Sequence, residues 1–92
     1  MQAMYHLQLF IAGRTPKSAV ALANLNAFCE QYLKNNYFLE IIDLAIHPER
    51  AGLHGILAIP TLIKKDPEPL KKLIGNLSDQ AKMLSILNIA AA

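Results

Sequence analysis

The chain has 92 residues, 53% of them hydrophobic and 17% charged, which excludes a disordered segment and suits a single domain spanning residues 1–92. The formal net charge of +2 is too small to indicate a nucleic-acid or membrane partner. No apolar run approaches the ~18 residues of a membrane span, and the N-terminus lacks a secretion pattern, so we expect a cytoplasmic protein.

The first predicted element is a strand over residues 5–11, where apolar residues alternate with His6 and Gln8. Thr15 followed by Pro16 then predicts the start of a helix. Threonine caps helix N-termini, and proline lacks an N–H that the first turn would leave unpaired. Apolar residues at three- and four-residue spacing continue this helix to a Lys-Asn-Asn sequence that ends it.

Residues 37–44 (YFLEIIDL) form the second predicted strand. Both of its faces are mostly apolar, which predicts a strand covered on each side. A strand, a helix and a strand at this spacing predict a right-handed unit with a parallel strand pair. A short helical segment is expected after His47, although Gly52 and Gly55 weaken it.

The second half predicts a hairpin and a final helix. Residues 59–63 indicate a strand entered through a proline, residues 64–69 a turn, and residues 70–74 a further strand. Ser78 is expected to cap a helix over residues 79–89. The order β-α-β-α-β-β-α is the thioredoxin-like topology, an α/β fold.

Thiol chemistry of the thioredoxin type is the least favoured function. Residues 13–18 (GRTPKS) occupy the place where a thioredoxin carries Cys-x-x-Cys. The single cysteine, Cys29, lies on the apolar face of the predicted helix, where it is expected to pack.

Four sequence blocks resemble the KaiB family in order and without large gaps, from Leu7 to Leu87. Residues 9–18 carry LFIAG, TP and a serine, similar to the family's strand into AGNTPNS. The second block is IDL at residues 42–44 with HP at residues 47–48, where the family has Asn-Pro. The third block is ILAIPTL at residues 56–62, and the fourth is IGNLSD at residues 74–79.

This resemblance implies a non-enzymatic regulator without a cofactor, which binds a KaiC-type hexameric ATPase and modulates its output in a circadian or stress-timing system. It also implies a homo-oligomer, either dimer or tetramer. A thioredoxin-like fold that exchanges with a second, ground-state fold is a further implication. A KaiB-like sensor module of a histidine-kinase system is an alternative. Structural roles are expected for Gly13, Pro16, Pro60 and Gly75, and the fold analogy favours a cis Pro60.

Several positions depart from the family pattern, three of which bear on the fold and on partner binding. Ile86 and Asn88 replace a glycine and an aspartate, which favours the fold in which this segment is helical. Glu40 replaces a lysine on the second strand and reverses the charge of a candidate partner-binding position.

Four lysines lie in the predicted hairpin, where Lys64 and Lys65 face Lys71 and Lys72. They are candidates for binding an acidic partner surface. The alternative is that they only protect a sheet edge from aggregation. No aromatic residue lies among them to stack on bases, which argues against nucleic acid. The histidines at 6, 47 and 54 lack metal-ligand spacing, so no metal site is expected.

Overall fold

The computed structural model describes residues 4–56 and 58–88, with the backbone alone for Leu53 and His54. Four strands and three helices make up this part of the chain. They are β1 (Tyr5–Ile11), α1 (Pro16–Tyr32), β2 (Tyr37–Asp43), α2 (Glu49–His54), β3 (Thr61–Asp66), β4 (Lys71–Ile74) and α3 (Gln80–Ile86).

The strands form one sheet in the order β2-β1-β3-β4. β1 and β2 pair in parallel with Tyr5 opposite Tyr37, as the crossover through α1 predicts. β3 is antiparallel to β1, and β4 returns antiparallel to β3 as the predicted hairpin. The thioredoxin-like α/β fold expected from the sequence is therefore confirmed.

Helix α1 begins as the sequence predicts. Pro16 occupies the first turn, and the Thr15 hydroxyl oxygen accepts a 3.1 Å hydrogen bond from the Ser18 N–H. The buried face of α1 includes Leu25 and Phe28. The main core unites this face with buried residues of the sheet and of the C-terminal segment: Leu7, Leu9, Leu62, Leu73, Met83 and Leu87.

A smaller core lies on the opposite face of the sheet. It consists of Phe10, Ile42 and Ile63, against which the partly buried Ile56 and Ile59 pack. Helix α2 has only six residues. This face therefore has less helical cover than the face under α1.

The prediction that the second strand is covered on both sides is wrong. β2 lies at the edge of the sheet, beside β1 alone. Phe38 is 57% exposed and Ile41 is 41% exposed, on opposite faces of the strand. An apolar sequence on both faces does not distinguish a central strand from an exposed edge, because strand order is set by distant parts of the chain.

Several predicted boundaries also change. β3 continues to Asp66, so residues 64–66 belong to the strand and the turn is shorter. Asp79, rather than Ser78, caps α3 by accepting a 3.0 Å hydrogen bond from the Lys82 N–H. α3 ends at Ile86 and residues 87–88 form a turn, so the predicted continuation of the final helix toward residue 89, which lies outside the described residues, is wrong.

The predicted structural positions lie at turns or element starts. Gly13 has φ of +71° and Gly75 has φ of +125°, both in the region that favours glycine. The Ile59–Pro60 peptide bond is cis, as the fold analogy favours. Ile86 ends α3 and packs partly buried against the main core, while Asn88 lies in the turn beyond with φ of +56°.

Candidate functional site

The loop between β1 and α1 occupies the place where a thioredoxin carries its thiols. In this chain the loop is fixed by a hydrogen bond to a carboxylate. Asp43, at the end of β2, accepts hydrogen bonds from the N–H groups of Gly13 at 2.8 Å and Ala45 at 2.9 Å. These two backbone donors hold the pKa of the Asp43 carboxyl below its usual value. A cavity of about 270 Å³ beside this loop is lined by residues that include Lys17 and Pro60.

Cys29 is buried in the main core and is not part of this loop. Burial raises the pKa of its thiol to about 12. Because the thiolate is the reactive form, a thiol in this environment is a poor nucleophile at neutral pH. The arrangement does not support thioredoxin-type chemistry.

Glu40 lies on β2 in a polar cluster on the α2 side of the sheet. Its carboxylate accepts a 3.0 Å hydrogen bond from Gln8 Nε2 and lies 3.4 Å from Arg50 Nη2. His6 Nε2 is 3.6 Å from the same carboxylate. The Gln8 hydrogen bond is the main cause that lowers the pKa of Glu40, and Arg50 adds to it. The charge of Glu40 is therefore largely engaged within the chain.

The open edge of β2 carries apolar side chains. Phe38 is exposed on the α2 side of this edge, and on the other side Ile41 lines a groove of about 440 Å³ between the edge and α1. Ile11 and Leu22 line this groove together with the charged side chain of Arg14. An unpaired strand edge next to apolar surface can take part in protein–protein contact.

The four lysines of the hairpin do not share one surface. Lys64 lies between Leu7 of β1 and Lys71 of β4, and only 1% of its surface is exposed. Burial, followed by the nearby charge of Lys71, lowers the pKa of Lys64. In this fold Lys64 is not available to a partner, which corrects the prediction for that residue.

The remaining three lysines are exposed, but on different sides. Lys71 shares the face of Lys64, whereas Lys72 pairs with Ile63 and points to the opposite face. Lys65 follows Lys64 in β3. The exposed cations therefore surround the hairpin, together with the exposed apolar side chain of Leu70.

Within residues 4–56 and 58–88, no group of three or more His, Cys, Asp or Glu side chains could hold a metal ion. Among the helices of the same part of the chain, none is both long and apolar enough to traverse a bilayer.

Sequence reasoning missed the roles of Asp43 and Arg50. Asp43 acts through backbone groups of another loop, which residue type alone does not indicate. The Gln8–Glu40 contact had a usable signal, because parallel pairing in register places Gln8 of β1 directly opposite Glu40 of β2. Arg50 reaches the same carboxylate from α2, and no local pattern predicts that contact.

Comparison with known proteins gives sequence matches over most of the chain. The family model for the KaiB domain matches residues 8–89. A circadian clock oscillator protein KaiB from Cyanothece sp. is 45% identical over 85 residues, covering 92% of this chain and 81% of that protein. A circadian clock protein KaiB3 from Synechocystis sp. is 41% identical over 83 residues, covering 90% of this chain and 81% of that protein.

Comparison with solved structures supports the fold. The N-terminal domain of Synechococcus elongatus SasA matches with a TM-score of 0.75 and 24% identity, covering 96% of this chain and 87% of that one. Mitochondrial thioredoxin 3 from Saccharomyces cerevisiae matches with a TM-score of 0.73 and 19% identity, covering 96% and 81%. At these identities the two likenesses establish a shared fold and nothing more.

Proposed function

The chain belongs to the KaiB family, and from this premise we propose that it is a non-enzymatic clock or stress-timing regulator that docks on a KaiC-type hexameric ATPase and modulates its output. The observation that carries the proposal is the match of residues 8–89 to the KaiB domain. A cytoplasmic location, where such an ATPase would be met, is part of the same proposal.

The chemistry of the described surface supports a role in binding. The cysteine is buried with a raised pKa, and the Glu40 carboxylate is engaged by Gln8 and Arg50. The side chains exposed to a partner include Lys65 and Lys71 on the hairpin and apolar residues at both sheet edges. We propose that Lys65, Lys71 and Lys72 contribute to docking, with Glu40 as a lesser contributor because its charge is largely engaged by Gln8 and Arg50.

The test is size-exclusion chromatography of the chain with the KaiC-type ATPase of the same organism, with ATP and without nucleotide. We expect co-elution with the hexamer in one nucleotide state. Elution of the two proteins as separate peaks under every nucleotide condition would contradict the proposal.

Charge-reversal variants test the hairpin separately. The double substitution Lys65→Glu and Lys71→Glu is expected to weaken co-elution, since both side chains are exposed. Lys34→Glu, on the exposed connection between α1 and β2, is the matched control and should leave binding unchanged. If the wild type, the double variant and Lys34→Glu bind equally well, then Lys65 and Lys71 are not part of the docking surface. The family-level proposal would be unaffected by that result.

The proposal includes two further properties. The chain self-associates as a dimer or tetramer, and it exchanges with a second fold. Ile86 packs partly against the core of the described fold, and glycine there would remove this contact and weaken the helix. We therefore expect Ile86→Gly with Asn88→Asp to increase the population of the alternative fold. Two sets of slowly exchanging backbone NMR resonances would report it, and an unchanged single set would count against a switching role for these positions.

A further inference from the structure

The side of the molecule formed by α1 and the edge of β2 carries opposite charges at its two ends. Arg14, in the loop before α1, is exposed and lines the groove between α1 and the end of β2. Glu30, near the end of α1, is also exposed and accepts a 3.1 Å hydrogen bond from the Tyr37 hydroxyl at the start of β2. The start of α1 therefore lies beside the end of β2, and the cation and the anion mark opposite ends of one surface.

Between these charges the surface is uncharged and largely apolar. Along α1, the side chains that share the side of Glu30 recur at three- and four-residue spacing: Ala19, Leu22 and Asn26. Ala19 and Leu22 line the groove, and Ile41 of β2, which is 41% exposed, lines it from the strand. The edge of β2 is open, since this strand pairs with β1 alone. Unpaired backbone groups beside an apolar groove favour contact with another chain.

A surface with this order of charges is complementary to a second copy of itself. In a two-fold contact every pair of residues meets twice, so the surface must match itself after a half turn. Leu22 lies midway in the sequence between Arg14 and Glu30. A two-fold axis that passes near Leu22 places Arg14 of each copy opposite Glu30 of the other. We propose that a second copy of this chain docks on this surface, with the two β2 edges antiparallel.

The charges select the antiparallel arrangement over the parallel one. With the two β2 edges parallel, Arg14 would lie beside Arg14 and Glu30 beside Glu30, and like charges brought together across an interface are unfavourable. Glu40 of β2 approaches its own copy in the antiparallel contact. Its carboxylate, however, accepts a hydrogen bond from Gln8 and lies 3.4 Å from Arg50 Nη2 of the same chain. The repulsion between the two Glu40 side chains is therefore reduced by groups already in place.

The inference rests on the self-association included in the proposed function and assigns the surface that mediates it. The test is the monomer–dimer equilibrium of the full chain at low salt, measured by analytical ultracentrifugation. Arg14→Glu and Glu30→Arg each place like charges at both ends of the contact. Each should raise the dissociation constant of the dimer at least about tenfold. Lys17→Glu is the matched control, because Lys17 is exposed on α1 beside the cavity at Pro60, and it should leave the constant unchanged.

Restoring the opposite charges distinguishes a lost contact from a misfolded variant. The double variant Arg14→Glu with Glu30→Arg should dimerise as the wild type does, and so should an equimolar mixture of the two single variants. Equal dissociation constants for the wild type and the single variants, or no recovery in the double variant and the mixture, would overturn this surface alone. A wild type that stays monomeric at every concentration would overturn the proposed self-association as well and leave this surface to a different protein. The KaiC-type ATPase plays no part in these measurements, so a failure of co-elution would contradict only the docking proposal.

Discussion

The N–H of Gly13 and the carboxylate of Asp43 are joined by a 2.8 Å hydrogen bond that ties the loop after β1 to the end of the parallel strand β2. A second bond, from the Ala45 N–H, comes from the chain that follows β2. One carboxylate thus satisfies two turn donors at the end of the sheet where α1 begins.

Removing this acceptor should destabilise the fold. We expect Asp43→Ala to lower the melting temperature, because two backbone donors lose their partner. Asp43→Asn keeps an oxygen at the same place and should lose less. The folded pKa of Asp43 is lowered, so the contribution of its charge is present at neutral pH and is lost as pH falls below the usual value of 3.8. Thermal denaturation from pH 7 to pH 3 measures both effects, and equal melting temperatures for wild type and Asp43→Ala would contradict the assigned role.

Lys64 is a buried cation beside a second lysine, and its removal should stabilise the chain. Lys64→Met keeps the length of the side chain without the charge and is expected to add about 1 kcal/mol to the free energy of unfolding at pH 7. Lys65→Met, at the exposed neighbouring position, is the control and should change little. Urea denaturation gives both values, and a clear loss of stability in Lys64→Met would show that the ammonium has a favourable role.

The same lysine predicts a pH dependence of the same sign as that of Asp43, but in the alkaline range. Its folded pKa is lowered from 10.5, so the folded chain releases this proton more easily than the unfolded chain. The free energy of unfolding of the wild type should therefore rise toward pH 10 relative to Lys64→Met. The advantage of the methionine variant should shrink over that range. A constant difference between the two proteins from pH 7 to pH 10 would refute the assignment.

Cys29 should be unreactive in the native protein. With a pKa of about 12 and no exposure to solvent, its thiol is expected to react with a disulfide reagent at pH 8 at least about 100-fold more slowly than in urea-unfolded protein. Absorbance of the released chromophore follows both reactions. Comparable rates in the two states would mean that the thiol is accessible.

Reversing the charge of Glu40 should cost stability, in addition to any effect on docking. Glu40→Lys removes the acceptor of Gln8 and places a cation beside Arg50, for which we expect a loss of about 1 kcal/mol. Glu49→Lys on α2 is the matched control, since Glu49 is exposed and contacts only His47 among the ion pairs of the described residues. Chemical denaturation compares the two variants. Equal losses in the free energy of unfolding would show that the polar cluster makes no specific contribution to stability.

Local signals were sufficient for the elements themselves. Alternation along β1 and the Thr15-Pro16 pair at the start of α1 act over neighbouring residues, so the sequence carries them in full. The order of elements and the four motif blocks likewise indicated the thioredoxin-like fold and the KaiB family, because both follow from residues read along the chain.

Strand order and burial could not be predicted from local signals, because they depend on contacts between residues far apart in the chain. Phe38 is exposed since β2 ends the sheet, and Lys64 is buried since its strand lies between β1 and β4. The contacts of Glu40 with Arg50 and of His6 with Asp66 likewise join separate elements. The sequence alone thus determined which secondary structures form and which family they belong to. Packing of those elements decided which charges are covered, paired or free, because burial of a side chain depends on what the rest of the chain places over it.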